Sequence, residues 1–567
     1  MSGRKFLIPQ VLEKSALTPT GILANTPDGT VTLERFSREV LAMAARLLEL
    51  GVLPGDRVAV CYPTEYQHTV LDFAILAAGA VAVPIYESDS QEQIEWILTD
   101  ADPVLLITHP THLARMRAAH TTISHRSSVL AGLDPVSGPD LEAIRTSIES
   151  IQSSLAADSP AAIIYTSGTT GRSKGCTITH GNLAFAIEAA RLALPELIGP
   201  TERTVLFLPL AHIFARVVQY ACVCGSVTLS YSTPTTILED LAKYRPTWLT
   251  VVPRVLEKVY AGAEANATGA RRRIFATAVN TALAHARARE ADANAPASLA
   301  WKLYDRLVYR KLRARLGGSL RFVLSGGAPL DPRLDLFFTG AGITVLEGYG
   351  LTETTAAHTV SRPTTKRAGT VGSALDGCTV KVLDGELLLA GENVFAGYWN
   401  NDSATAASFH SDSEGRWFKS GDLGSIDPLG RVSITGRIKD LLITSGGKNI
   451  QPSGLEEIIV QHPAFTQCVV VGDRRPYVAA LLACSPAWLA ALGLSDPDPN
   501  HPAIKTAATE ALASANQSVS QAESIKKWAL LPRELSVEGG ELTATLKTKR
   551  PVVAERYHYL IESLYAE

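Results

Sequence analysis

Tyr165-Thr166-Ser167-Gly168-Thr169-Thr170-Gly171-Arg172-Ser173-Lys174-Gly175 packs hydroxyl side chains, three glycines and a lysine into one loop, directly after the apolar run 161–164. Glycines let backbone N–H groups turn toward a ligand, hydroxyls add donors, and a lysine supplies a point charge, so the composition suits a phosphate. The stretch is not a Walker loop, which needs G-x-x-x-x-G-K-[ST] opening a helix. Here glycine follows the lysine, and Cys176-Thr177-Ile178-Thr179 reads as a returning strand. A plain glycine-rich hairpin would share this composition, so the loop alone leaves both readings open.

Outward from the loop, strand and helix patterns alternate. Residues 33–50 carry apolar side chains at helical spacing (Phe36, Val40, Leu41, Ala44, Leu47, Leu48), with Gly51 placed to end the helix. A short strand at 57–60 follows, then the apolar stretch 69–86, which contains Asp72 and Pro84 and reads as a buried helix running into a buried strand rather than a membrane span. Strand patterns recur at 104–108, 204–208, 249–252 and 320–325. This alternation predicts an α/β fold, with a large N-terminal domain of layered parallel sheets. Residues 263–300 are alanine-rich with Arg271-Arg272-Arg273, and read as an exposed, solvated helix. Beyond Asp440 the pattern becomes that of a small α+β domain, with strands at 468–472 and 477–483 and a charged helical tail. The expected division is therefore 1–438 and 439–567.

With 567 residues the chain is too long for one core. It has 53 basic and 56 acidic residues, a net charge of −3 without an acidic or basic half, which gives no reason to expect nucleic acid as partner. Hydrophobic content of 46% and charged content of 19% fit a soluble globular protein. The seven cysteines include no C-x-x-C pair, and residues 1–13 lack a signal-peptide core, so a cytoplasmic protein with free thiols is expected. Peripheral contact with the inner membrane surface remains open. His109, His112, His120 and His125 lack helical metal-ligand spacing and read as loop histidines.

Four further motifs decide the reading of the loop: Ser325-Gly326-Gly327-Ala328-Pro329-Leu330, Glu347-Gly348-Tyr349-Gly350-Leu351-Thr352-Glu353-Thr354, Ser420-Gly421-Asp422-Leu423-Gly424, and Gly436-Arg437-Ile438-Lys439-Asp440. In this order, across nearly the whole chain, they resemble the adenylate-forming superfamily of acyl-CoA synthetases, nonribosomal adenylation domains and luciferases. The segments around Leu208-Pro209-Leu210-Ala211-His212-Ile213-Phe214-Ala215-Arg216 and Val252-Pro253-Arg254-Val255-Leu256-Glu257 look like the long-chain fatty acid–CoA ligase branch.

The resemblance implies activation of a fatty acid with ATP and Mg²⁺, then transfer of the acyl group to coenzyme A. Thr166, Ser167, Gly168, Thr169, Thr170, Gly171 and Lys174 would grip the phosphates; Ser173 stands where the family usually has proline. Glu353, beside Thr352, would hold the metal, as a hard cation prefers oxygen ligands. Gly327, Ala328, Pro329, Glu347, Gly348, Tyr349, Gly350 and Leu351 would line the adenine and acyl sites. Asp422, Ile434 and Arg437 would contact ribose and phosphate. His212, Ile213, Phe214, Gly326 and Gly350 would border the acyl chain, and the small residues Gly225, Gly326 and Gly350 would leave room for an apolar tunnel.

In Leu542-Thr543-Ala544-Thr545-Leu546-Lys547-Thr548-Lys549 the alignment makes Lys547 the catalytic lysine, bridging substrate carboxylate and α-phosphate, with Lys549 as competitor. The small domain would be mobile, turning about Lys439 to bring Gly446, Gly447 and Lys448 toward the pantetheine arm. A carrier protein in place of coenzyme A, or a non-catalytic ATP- or lipid-binding relative, are the other readings.

Overall fold

The glycine-rich loop joins two antiparallel strands, Pro160–Thr166 and Lys174–Thr179, whose register sets Thr166 opposite Lys174 at its base. The computed structural model describes residues 5–121, 128–133, 140–166, 172–265, 267–445, 448–521, 523–543 and 547–566. Ser167, Gly168, Thr169, Thr170, Gly171, Gly446, Gly447 and His125 therefore lie outside the described residues. The hairpin belongs to a seven-stranded sheet. Parallel strands Val81–Pro84, Arg57–Cys61, Leu105–Thr108 and Ser128–Ala131 extend it on one side, and Gly397–Tyr398 pairs antiparallel on the other. A second sheet runs Trp248–Val251, Phe322–Gly326 and Thr344–Leu351 in parallel, then turns antiparallel at Ala356–Val360. The glycine-rich loop and the motifs at 325–330 and 347–354 sit where strands of these two sheets end, the usual place for binding groups in parallel sheets, whereas Ser420–Gly424 lies within the antiparallel strand Gly415–Ile426.

Helix Leu33–Glu49 forms as its pattern predicts. The Thr32 hydroxyl accepts from the Arg35 N–H at 3.2 Å, Phe36, Val40, Ala44 and Leu47 are buried, and Gly51 takes a left-handed φ of 84° just past the end. Helix Tyr66–Ala77 is buried at every position but Gln67, Asp72 included. That carboxylate is ion-paired with the buried Arg216 guanidinium and accepts from Gln219 Nε2 at 3.1 Å. Arg216 also donates to the Tyr220 hydroxyl and, through Nε, to the Leu210 carbonyl. A buried charge pair needs compensating hydrogen bonds; here Nε and Nη1 of Arg216 have them while Nη2 has none, and the network ties helix Ile213–Gly225 to helix Tyr66–Ala77.

The alanine-rich segment corrects one expectation. Helix Ala270–Ala291 is exposed on one side only: Phe275, Ala278, Val279, Ala282 and Ala286 are buried. It packs against helix Pro332–Gly340 so closely that a Cβ on Gly340 would lie 2.0 Å from the Ala282 carbonyl oxygen. Alanine is what lets the two backbones approach, so a composition that reads as surface is here half core.

Residues beyond 440 pack around their own cores. In strands Phe465–Val471 and Ala479–Cys484, Cys468, Val470, Ala480 and Leu482 face helices Pro452–Ile459 and Pro502–Asn516. Val469, Val471, Ala479, Leu481 and Ala483 face helices Arg550–Arg556 and His558–Tyr565 on the other side. The period-two alternation of a sheet buried on both faces is fully expressed. This lobe meets the larger one at Arg254, which donates to the Thr466 carbonyl at 3.3 Å and lies 3.9 Å from Glu534.

Candidate active site

A cavity of ≈ 1750 Å³ opens between the lobes. Its walls include Thr166, Lys174, Gly326, Gly327, Ala328 and Pro329, the whole run Glu347 to Glu353, and Asp422, Ile434, Arg437, Lys439 and Lys547. His212, Ile213 and Phe214 line it too. Every described residue that the sequence nominated faces this space except Gly225 and Lys448, the latter staying in the small lobe 3.3 Å from Glu523.

The polar end is built on the ends of strands Val432–Arg437 and Thr344–Leu351 and the middle of strand Gly415–Ile426. Asp422, 4% exposed, accepts from Arg437 Nε at 2.5 Å and from the Tyr349 hydroxyl at 2.8 Å. Strands Gly415–Ile426 and Val432–Arg437 pair antiparallel with Asp422 opposite Arg437, so the ladder register makes this contact. Burial and the Asp422 charge push the Tyr349 phenol well up, so its hydroxyl remains a donor. Glu353 lies in a single turn of 3₁₀ helix after strand Thr344–Leu351, where its Oε1 accepts from the Tyr398 hydroxyl at 2.8 Å. Lys174 Nζ stands 4.8 Å from the centre of the Tyr398 ring, which therefore links the phosphate-loop lysine to the carboxylate. Sequence reasoning missed Tyr398; its signal was the aromatic cluster Phe395-Ala396-Gly397-Tyr398-Trp399 around a glycine.

Lys547 enters from the small lobe. It pairs with Thr543, whose N–H donates to the Lys547 carbonyl at 2.8 Å and whose hydroxyl accepts from the Lys547 N–H at 3.0 Å. Its side chain is open to the cavity, while the two lobes enclose that space. Enclosure lowers the ammonium pKa, the Arg437 charge lowers it further, and Asp422, Glu353 and Asp440 oppose the shift. Lys549 takes a different direction. It precedes helix Arg550–Arg556 and its charge acts on Asp89, a carboxyl that burial raises to about 6 against the lowering effects of the Tyr86 N–H, Arg115 and Lys549. Of the two lysines, Lys547 is the one set among Asp422, Glu353 and Arg437.

Glu347 is buried with Oε1 unpartnered, and burial, helped by the Asp335 charge, raises its carboxyl to about 8. An unfilled acceptor in the wall of a nucleotide-sized cavity suits a ligand donor such as an exocyclic amine.

The apolar end lies between helices His180–Ala193 and Ile213–Gly225. Ala186, Ala190 and Leu194 face Val217, Val218 and Ala221 across it, with Leu197 and Ile198 beyond. His212 stands at the junction with the polar end. Its Nδ1 accepts from the Phe214 N–H at 3.2 Å at the helix N-terminus, which leaves Nε2 to carry the proton. Burial and the Lys547 charge lower its pKa to about 4, so the ring is neutral near pH 7. Two glycines expected to make room for the chain are pressed against neighbours. A Cβ on Gly225 would lie 2.3 Å from Ile198 Cγ2, and one on Gly350 would lie 1.7 Å from the Ala356 carbonyl oxygen. Gly225 serves close packing alone, while Gly350 both lines the cavity and lets two strands approach. At Gly326 the corresponding atom is Phe214 Cε1, 3.2 Å away, so that glycine does border the cavity.

The pattern of the AMP-binding enzyme family matches residues 12–399, and that of the AMP-binding enzyme C-terminal domain matches residues 439–567. Among curated proteins, the long-chain-fatty-acid–CoA ligase FadD15 of Mycobacterium bovis is 42% identical over 562 residues, covering 94% of this chain and 92% of that protein. The long-chain-fatty-acid–CoA ligase ACSBG2 of Xenopus laevis is 29% identical, covering 95% and 80%. Among solved structures, ATP-bound MatB from Rhodopseudomonas palustris superposes with a TM-score of 0.72 at 23% identity, over 97% of this chain and 98% of that one, a likeness of fold. On the family match and the extent of the first of these similarities, the chain belongs to the AMP-binding enzymes.

Proposed function

We propose that this protein is an AMP-forming ligase that joins a long-chain fatty acid to coenzyme A, with ATP as the activating co-substrate. The observation that carries the reading is the convergence of Lys174 and Arg437 from the large lobe and Lys547 from the small one on a cavity with a separate apolar arm.

In the first half-reaction the fatty carboxylate attacks the α-phosphorus. One P–O bond forms, the bond to the β-phosphate breaks, and pyrophosphate leaves. An anion must approach a polyanion, so cations placed where charge builds up do most of the work. Lys547 would lie between carboxylate and α-phosphate, where its amine supplies donors to both. Lys174, with the loop from Thr166, would take the outer phosphates. Glu353 fits Mg²⁺ as one carboxylate acting with phosphate oxygens and waters, and the ion would add charge neutralisation there. Asp422 would exchange part of its contact with Arg437 and Tyr349 for the ribose hydroxyls. Glu347 would accept from the adenine amine.

In the second half-reaction the coenzyme A thiol attacks the acyl carbon, the carbon–oxygen bond to AMP breaks, and the thiol proton passes to solvent. The space needed is occupied by Lys547, while Lys448, which we expect near the pantetheine arm, is turned away. A rotation of residues 439–567 about Lys439 resolves this conflict, with residues 1–438 as the fixed body. The unpaired cysteines favour a reducing cytoplasm, and among the described residues no helix is long and apolar enough to cross a membrane.

The test is pyrophosphate release from ATP and Mg²⁺ with octanoate, dodecanoate, hexadecanoate or eicosanoate, with and without coenzyme A. Pyrophosphate in step with acyl-CoA is expected for the long acids. Adenylate that coenzyme A cannot discharge, but a carrier-protein phosphopantetheine can, would move the assignment to a carrier-loading enzyme. No adenylate at all would leave a binding protein.

A further inference from the structure

Helix Leu299–Tyr304 runs through a π-helical turn, Asp305–Tyr309, into helix Arg310–Arg315, making one continuous rod of about 26 Å. Its inner side is fixed. Trp301 Nε1 donates to the Gly340 carbonyl at 2.7 Å, the buried Tyr309 hydroxyl donates to the Ala278 carbonyl at 2.6 Å, and Arg313 bonds both Asp305 and the Ala341 carbonyl at 2.6 Å. Its outer side is unlike an ordinary surface. Leu299, Leu303 and Leu307 are 84%, 54% and 43% exposed and recur every fourth residue. Lys302, Arg306 and Arg310, all exposed, form a second row at the same spacing beside them. Asp305, the single acid of the rod, is taken up by Arg313 and lies 3.8 Å from Arg310.

Isolated exposed leucines need no explanation, but three in line do. The packing of the rod uses its other face, so these leucines do nothing for the fold. A cationic row beside an apolar row along one helix matches a surface that is anionic outside and hydrocarbon beneath. The π-turn gives the rod a widened turn at its middle, and Leu307 within it stays on the outer side. A second copy of the chain is a poor occupant, because a twofold contact would set the Lys302, Arg306 and Arg310 rows against each other.

We propose that the outer face of residues 299–315 docks the protein onto an anionic lipid bilayer, with the leucines in the headgroup–acyl boundary and the basic row against lipid phosphates. Such a surface would let an enzyme of sparingly soluble acids work where they collect. The inference goes beyond the ligase reading and does not depend on it.

The experiment is co-sedimentation of the full chain with phosphatidylcholine vesicles, alone or with roughly a third phosphatidylglycerol. Binding to the anionic vesicles is expected, about tenfold weaker on neutral ones and reduced by salt. L303S/L307S should bind about tenfold less tightly, and so should R306E/R310E. Octanoate, which needs no membrane, is assayed in parallel; unchanged turnover in both variants shows that they are folded and keeps this test separate from that of the reaction. Wild type that ignores anionic vesicles, or variants that bind as wild type does, would overturn the proposal. So would light scattering showing that the leucines hold a dimer, or neutral vesicles binding equally well.

Discussion

The two ends of the cavity are built on opposite principles. The polar end gathers a few charged side chains from segments far apart in sequence, and one of them, Lys547, belongs to a different lobe. The apolar end is a gap between two neighbouring helices lined by alanine, valine and leucine. Losing one group at the first end should abolish a chemical step. Adding one at the second should change only which substrates fit.

The largest effect is expected at Lys547. Lys547→Ala should slow adenylate formation about a thousandfold, in line with loss of a preorganised charge at the transition state, yet leave thioester formation from supplied acyl-adenylate nearly intact. Lys549→Ala should stay within a few-fold of wild type in both steps. Quench-flow measurement of the separate half-reactions decides, and a greater loss at Lys549 would reverse the assignment. The opposite end predicts a selectivity change. Ala221→Trp should fill the arm midway, cutting hexadecanoate turnover about a hundredfold while sparing octanoate. Equal loss for both acids would mean that the chain runs elsewhere. Between the two lies the linker: Lys439→Pro should impair thioester formation about tenfold more than adenylation by stiffening the turn, and equal effects would count against rotation.

The smallest effect is a slope. Burial lowers His68, His180, His212 and His358 to about 4. The unfolded chain, with ordinary histidines near 6.5, binds more protons than the folded one between those values. Their contribution is therefore complete above pH 6.5 and is lost as pH falls toward 4, by up to about 1.4 kcal/mol per pH unit for each histidine. Urea unfolding at pH 7 and pH 5 measures it, and equal stability at the two would show these rings to be solvated.

The same contrast explains what the sequence disclosed. Glu353, Asp422 and Arg437 stood out because their glycine-rich motifs occur in the order and spacing of the family they resemble; alone, each has an ordinary reading as a helix-start, turn or surface charge. Ala186, Ala190, Val217 and Ala221 did not, because a helix facing a cavity has the same apolar period as one facing a core. Gly225 misled for a related reason: a missing side chain marks either space for a ligand or contact with a neighbour, and only the neighbour's position tells which. Tyr398 was hidden because its role depends on Lys174 and Glu353 meeting across separate strands. Lys448 differs again, since its expected role belongs to another arrangement of the lobes.

The buried pair Asp72–Arg216 bears on how acids are measured. Arg216 sits one turn past His212 on the helix that walls the arm, and its guanidinium is bolted to a helix on the far side. That helix cannot slide along its axis without stranding a charge in hydrocarbon-like surroundings. On the proposed reading, the carboxylate end of a substrate would be held to a fixed zero mark, and the wall beyond it would become a graduated rule from which tail length is read.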